Sequence, residues 1–321
     1  MVTGPALSSA TDPVPLGGLS EPILVDPGPR LLGEVVEAYR EVAPALVEPS
    51  LASGDSGDGG DEDDGDSGDG DGTTPADELP TLRVFAGESA IETATAGFRA
   101  ASRLAALLDA DVVDLRVLDA PQPNTALAGG DTGYALVRGG NGEGRWLRVG
   151  DDATLRGRYA SEFADADRYR LRTPSRRLVY EGFATRCDES VAAAVLRALD
   201  VSAAPEDTGD SAGVGDSARS GGPKSPAAGP DPEETRIRAY AVGAREGVLD
   251  RTLRRACEDA GLGSPSTFTR IKRLLREADL IETAPEPQPV GRPRERLAAR
   301  GALAAAETPT ETIAAVEDVA D

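Results

Sequence analysis

Two patterns of apolar and polar residues divide the chain near residue 200. Before it, short apolar runs alternate with stretches of helical spacing. The runs that predict strands lie at 22–26, 82–86, 112–118 and 177–183, with a hairpin at 134–138 and 145–149. The helical stretches are 31–47, 89–108, 153–168 and 188–199. This alternation predicts an α/β domain with a mixed sheet, because the hairpin makes part of the sheet antiparallel.

After residue 233 the pattern changes to three helices followed by a hairpin. The predicted helices cover 234–247, 248–260 and 264–278, and the hairpin strands cover 279–283 and 290–297. Gly261 is placed to end the second helix, while Ser264 and Pro265 are typical of the start of the third. Two helices joined by a short glycine turn, with a β-loop after them, predict a winged helix-turn-helix.

The third of these helices is amphipathic. Phe268, Ile271 and Leu275 form its buried stripe. Its outer face and one flank carry hydroxyls and cations: Ser266, Thr269, Arg270, Lys272, Arg273 and Arg276. The β-loop after it adds Arg292, Arg294 and Arg296. We predict that these nine residues bind double-stranded DNA, with Arg270 and Arg273 as the best candidates for base contacts.

The charge distribution supports this prediction. The net charge of the whole chain is -22, yet residues 231–301 hold 14 bases against 12 acids. A positive region in so acidic a chain favours contact with phosphates. Winged helices also bind other proteins, so a scaffold role through protein contacts stays open. Because helix-turn-helix proteins commonly bind palindromic sites as dimers, we expect a homodimer, formed through the N-terminal domain.

Low-complexity stretches set the predicted boundaries. Residues 53–72 hold nine acids and no base, and we expect a disordered insertion there. Residues 202–232, rich in Ser, Gly, Pro and Ala, predict a flexible linker. The predicted organisation is therefore an α/β sensor or dimerisation domain at 19–200, a winged helix at 233–301 and a loosely ordered acidic tail at 302–321.

Composition narrows the chemistry. The chain has no His and 2 Cys, which excludes histidine-dependent triads and makes a zinc or iron–sulfur site unexpected, so we expect neither a metal nor a cofactor. No apolar run is long enough to span a membrane and no secretory signal is visible, so we expect a cytoplasmic protein. With 32 Arg, 2 Lys and many acids, the composition is typical of a salt-loving archaeon, although an ordinary acidic protein stays an alternative.

A weaker signal lies in the α/β domain. Asp26 ends one predicted strand, and Gly87, Glu88 and Ser89 follow another, where α/β sheets bind small ligands. These positions are candidates for a small-molecule effector site, but they are also compatible with a purely structural role. We do not expect an enzyme; one acting on a phosphorylated or carboxylated metabolite is the alternative that these residues would support.

The stretch from Leu253 to Arg270, with 279–283 and 290–297, resembles the haloarchaeal TbsP family of transcriptional regulators. The resemblance extends into the N-terminal domain, through the strand at 22–27 and the segment 82–87 with the helix after it. It implies an α/β domain before a winged helix, sequence-specific DNA binding, and control of transcription linked to central carbon metabolism.

Overall fold

The computed structural model describes residues 4–9, 12–49, 78–138, 144–150, 153–201, 231–287 and 293–320. The predicted acidic insertion at 53–72 lies outside these ranges, as does all of the predicted linker except Asp231 and Pro232.

A mixed six-stranded sheet forms the centre of the N-terminal part and confirms the predicted α/β fold. Its strands are β3 (Ile23–Val25), β4 (Leu82–Ala86), β5 (Val113–Val117), β6 (Ala126–Ala128), β7 (Gly133–Arg138) and β8 (Gly144–Gly150), in the spatial order β5-β4-β3-β6-β7-β8. Strands β3, β4 and β5 are parallel, whereas β6, β7 and β8 pair antiparallel. A short ribbon of β1 (Ala6–Leu7) and β2 (Val14–Pro15) precedes the sheet. The carboxyl ends of three neighbouring strands thus meet at one edge.

Helices cover both faces of this sheet. One face packs against α1 (Pro29–Val42), α2 (Pro44–Val47), α3 (Glu88–Ala94) and α4 (Phe98–Asp109). The other face buries Ile23, Val25 and Phe85 against Tyr159 and Phe163 of α5 (Ala153–Asp165). Alternate residues of β3 therefore enter two different cores, as the two-residue period of a strand requires.

Two of the predicted helices are each interrupted near a helix-breaking residue. The helix predicted over 31–47 stops at Val42, since Pro44 cannot continue it and begins α2 instead. The helix predicted to run to Leu108 is interrupted before Gly97, which is the N-cap of α4.

The strand predicted at 177–183 is wrong, because this segment lies in the helix α6 (Arg176–Arg186). Val179 and Phe183, four residues apart, are buried, as on one face of a helix. Ser175 caps the helix, accepting a hydrogen bond of 3.4 Å from the amide of Leu178. The β-prone run Leu178–Tyr180 was therefore overridden by its packing.

The C-terminal part contains the predicted helix-turn-helix and hairpin. Its elements are α8 (Pro232–Arg245), α9 (Asp250–Asp259), α10 (Pro265–Glu277), β9 (Ile281–Glu286) and β10 (Arg294–Ala299), with β9 and β10 antiparallel. Helices α6 and α7 (Glu189–Asp200) share one hydrophobic core with them, although both precede residue 200. The domain boundary at residue 200 stays a prediction, but this core extends across it.

The tail after residue 302 is not loosely ordered, contrary to the prediction. It forms α11 (Gly301–Ala305), α12 (Pro309–Ala314) and α13 (Glu317–Ala320). Leu303, Ile313 and Val316 are buried in the same C-terminal core. Thr308 and Glu311 form a capping box that starts α12. Apolar residues at helical spacing anchor a segment whose composition alone suggested little structure.

Candidate nucleic-acid interface

The turn before α10 has the geometry that the glycines predicted. Gly261 has a φ of +70°, in the left-handed region that only glycine adopts easily. The amides of Gly261 and Leu262 donate to the carbonyls of Glu258 and Cys257, which closes α9 with a Schellman motif. Ser264 is the N-cap of α10, but its hydroxyl contacts Ser266 at 2.7 Å and makes no capping hydrogen bond.

Helix α10 presents the predicted outer face. Phe268, Ile271 and Leu275 are buried, and Phe268 stacks on Tyr240 of α8 with ring centroids 5.9 Å apart. The side chains on the opposite side are exposed: Ser266, Thr269, Arg270, Arg273 and Arg276. The helix is thus held by one side, and its other side is free for a partner.

Three of the predicted cations are already paired within the protein. Arg270 lies 2.7 Å from the carboxylate of Glu233, in the first turn of α8. Lys272 is mostly buried and bridges Asp250 and Glu295. Arg296 contacts Glu286 at 2.7 Å and donates to the Gly247 carbonyl at 2.6 Å, which fixes β10 to the end of α8.

The remaining predicted cations that the structure describes are more accessible to a binding partner. Arg273 is 68% exposed and lies 3.8 Å from Glu277, a distance at the limit of an ion pair. Arg276 and Arg294 are exposed, and neither has a carboxylate partner among the residues that the structure describes. Arg292 lies outside the described residues. The accessible positive charge therefore lies on the outer face of α10 and on its flank next to β10.

A buried carboxylate positions α10 against its neighbours. Asp250, 4% exposed, accepts hydrogen bonds from the Tyr240 hydroxyl at 2.5 Å and from Arg254 at 2.7 Å, and it lies 3.4 Å from Lys272 Nζ. Arg254 also donates to the Thr269 hydroxyl at 3.1 Å. Burial and this carboxylate raise the pKa of Tyr240 strongly, which keeps its hydroxyl protonated as a donor. The network joins α8, α9 and α10.

A group of arginines on α9 and its neighbours is not among the predicted DNA-binding residues. A recess of about 930 Å³ lies between α6, α9 and the start of β10. Its lining includes Arg186, Arg251, Arg254, Arg255 and Arg294, and we name it the arginine groove. The signal was present in the sequence, because 251, 254 and 255 are spaced to lie on one helix face, opposite the buried Leu253, Ala256 and Cys257.

The four candidate effector residues do come together. Asp26, Gly87, Glu88 and Ser89 line one cavity of about 330 Å³ at the carboxyl ends of β3, β4 and β5, with Asp119 beside them. Asp26 accepts a hydrogen bond from the amide of Gln122 at 2.7 Å. Among the residues that the structure describes, three carboxylates and no base line this acidic cavity, which disfavours an anionic ligand. Among the described residues, no group of His, Cys, Asp or Glu is placed to hold a metal ion.

Comparison with known proteins agrees with this geometry. Residues 71–174 match a family model described as transcriptional regulator TbsP-like, N-terminal. Residues 223–317 match one described as transcriptional regulator TbsP-like, C-terminal HTH domain, and together the two stretches cover more than half of the chain. Searches of curated proteins and of solved structures found no match. No helix in the described ranges is long and apolar enough to cross a membrane. The chain belongs to the TbsP-like family of transcriptional regulators.

Proposed function

We propose that this regulator binds double-stranded DNA sequence-specifically by inserting α10 into the major groove. The observation that carries the proposal is the row of exposed arginines on α10 and β10, within a chain of net charge -22. Exposed cations without internal partners can neutralise phosphates and read guanine edges.

The proposed DNA contacts fall into two groups, those to bases and those to phosphates. Arg273, at the centre of the outer face, is the best placed for a bidentate base contact, and Ser266 and Thr269 lie on the same face. Arg276, on the flank of α10 next to β10, contacts phosphates, as do Arg294 at the start of β10 and Arg292 in the β-loop. Arg270 reads a base only after it leaves Glu233, while Lys272 and Arg296 position α10 and β10 and reach DNA only if their ion pairs open.

The proposal also covers the cellular environment, the oligomeric state and an effector. The acidic composition fits the cytoplasm of a salt-loving archaeon, where concentrated salt weakens phosphate contacts and base contacts carry more of the affinity. A homodimer formed through the N-terminal domain would present two copies of α10 to a palindromic site. A small-molecule effector occupies the acidic cavity, and its three carboxylates favour a cationic or neutral polar molecule.

The test is selection of duplexes from a random pool by the full-length protein, followed by binding titrations on the selected duplex and a scrambled one. We expect Arg273→Ala with Arg276→Ala to lower affinity for the selected duplex by about 10-fold to 200-fold, since one lost base contact costs roughly 1–3 kcal/mol and a phosphate contact is lost as well. Affinity for the scrambled duplex should fall much less. The proposal fails if no sequence is enriched, or if the double variant discriminates as well as the wild type.

A further inference from the structure

The arginine groove extends beyond the helix-turn-helix. Arg186 belongs to α6, which lies in neither of the two stretches that match the family models, whereas Arg251 and Arg255 belong to α9 and Arg294 to β10. A second recess of about 330 Å³ shares Arg186, Arg251, Arg254 and Arg255 and reaches Pro265, at the first turn of α10. Glu258 and Asp259 also line this second recess, and Asp259 is paired with Arg186. A row of arginines therefore extends from α6 across α9 to the start of the proposed recognition helix, with Glu258 beside it.

Few negative groups neutralise this groove. Asp250 is buried and bonded to Tyr240 and Arg254, and the carboxylate of Glu295 is paired with Lys272. Arg186 forms an ion pair with Asp259, in which its Nε lies 2.6 Å from the carboxylate and its two terminal nitrogens make no other hydrogen bond among the described residues.

Arg251 and Arg255 are exposed, one helical turn apart, and neither has a carboxylate partner in the described part of the chain. Like charges at this spacing repel each other. An anion in the groove would offset this repulsion.

The walls of the groove are fixed by close packing. A Cβ atom added at Gly182 of α6 would lie 2.6 Å from the amide nitrogen of Ala260, the residue that caps α9. Only glycine permits this approach of the two helices. The α6 backbone that carries Arg186 is thus packed closely against α9 without help from a ligand, a preorganisation that favours binding of an extended anion.

We propose that the arginine groove holds the phosphodiester backbone of DNA that flanks the segment read by α10, so that α6 extends the contact surface. This inference rests on the proposed function. Phosphate is the shared chemistry of two sources, the backbone of duplex DNA and a free polyphosphate. DNA is favoured because the groove continues to the first turn of α10, where a bound duplex would pass.

The experiment measures how the affinity of the full-length protein depends on salt, using the selected duplex in a long form with flanks and a short form without them. Arg251→Gln with Arg255→Gln should reduce the slope of log affinity against log salt by about 2, since each lost phosphate contact changes it by about 0.9. Arg186→Gln should reduce the slope by about 1 on the long duplex only. Neither change should alter the ratio of selected to scrambled affinity.

Arg177→Gln is the matched control, because Arg177 is an exposed arginine of the same helix, paired with Glu181 and absent from the groove lining. Its slope should equal that of the wild type. Unchanged slopes in all groove variants, with binding still dependent on α10, would overturn the inference but leave the proposed function standing. Failure of the wild type to bind any duplex would instead reject the proposed function.

Binding of inorganic pyrophosphate tests whether the groove instead takes a free polyphosphate. Stoichiometric pyrophosphate binding that Arg251→Gln with Arg255→Gln abolishes, together with unchanged DNA slopes, would make the groove a free-anion site and contradict the proposal. Thermal melts of each variant check folding. We expect the double variant to melt no lower than the wild type, because it removes a repulsion.

Discussion

The molecule has two recesses of opposite charge. In the part of the chain that the structure describes, three carboxylates and no base line the acidic cavity at the ends of β3, β4 and β5, whereas five arginines line the groove between α6, α9 and β10. The acidic lining of the first recess is expected from composition, because acids are abundant throughout a chain of net charge -22. The same net charge makes the arginine groove unexpected. The contrast shows that local departure from the composition of a chain is more informative about binding than the composition itself.

The largest effect should come from reversing the charge of the groove. Arg251→Glu with Arg255→Glu changes the charge by -4 and places carboxylates where phosphates would lie, so we expect DNA affinity to fall more than about 100-fold at moderate salt. Arg158→Glu with Arg177→Glu makes the same charge change on exposed helical arginines outside the groove lining. Equal losses in both double variants would show that net charge, and not the groove, controls binding.

The next effect concerns the packing that keeps the groove in shape. Gly182→Ala places a methyl group against the Ala260 amide, and we expect it to destabilise the protein by roughly 1–3 kcal/mol. Gly157→Ala is the control, since Gly157 lies in α5 with open space around it and the change should stabilise by about 0.5–1 kcal/mol. Chemical denaturation followed by circular dichroism measures both. A Gly182→Ala protein of wild-type stability would mean that α6 can move away from α9.

A smaller effect should follow from loosening α10. Asp250→Asn keeps the size of the side chain but weakens the hydrogen bonds to Arg254 and Tyr240 and the ion pair with Lys272. We expect discrimination between selected and scrambled duplexes to fall about 10-fold, because a misplaced recognition helix loses base contacts before phosphate contacts. Binding titrations on both duplexes measure this ratio. A uniform loss on both duplexes would indicate general destabilisation.

The smallest effect should come from freeing Arg270. Glu233→Gln removes the carboxylate that holds it, and exposed ion pairs are worth only about 0–1 kcal/mol. We therefore expect a gain of at most about five-fold in affinity for the selected duplex. The Arg270→Ala variant is the comparison: if Glu233→Gln tightens binding equally in its presence, Arg270 is not the group released.

The sequence predicted correctly those elements whose apolar periodicity and terminal residues indicate the same structure. Helix α10 has an apolar stripe, a proline start and a glycine turn before it, so its face and limits followed directly. The grouping of Asp26 with Gly87, Glu88 and Ser89 followed from the rule that parallel strands end at the same edge.

What escaped prediction depends on distant contacts. The run Leu178–Tyr180 of α6 is β-prone, and burial of Val179 and Phe183 in the C-terminal core favours the helix instead. Nothing near Arg270 in the sequence indicates its pairing with Glu233, because that carboxylate arrives from α8 through the tertiary fold. The arginines of α9 form a recess only with Arg186 of α6 and Arg294 of β10, which are distant in the sequence.

The most direct test of the central claim is cleavage of DNA by an iron chelate tethered to single cysteines. Cys187→Ser would remove the half-buried native thiol, and Cys257 is fully buried, so the chelate would be attached through the introduced thiol of Ser266→Cys on α10 or Arg186→Cys on α6. We expect the α10 tether to cleave within the selected sequence and the α6 tether to cleave the backbone outside it. Cleavage from neither position, or an identical pattern from both, would contradict the proposed orientation of the protein on DNA.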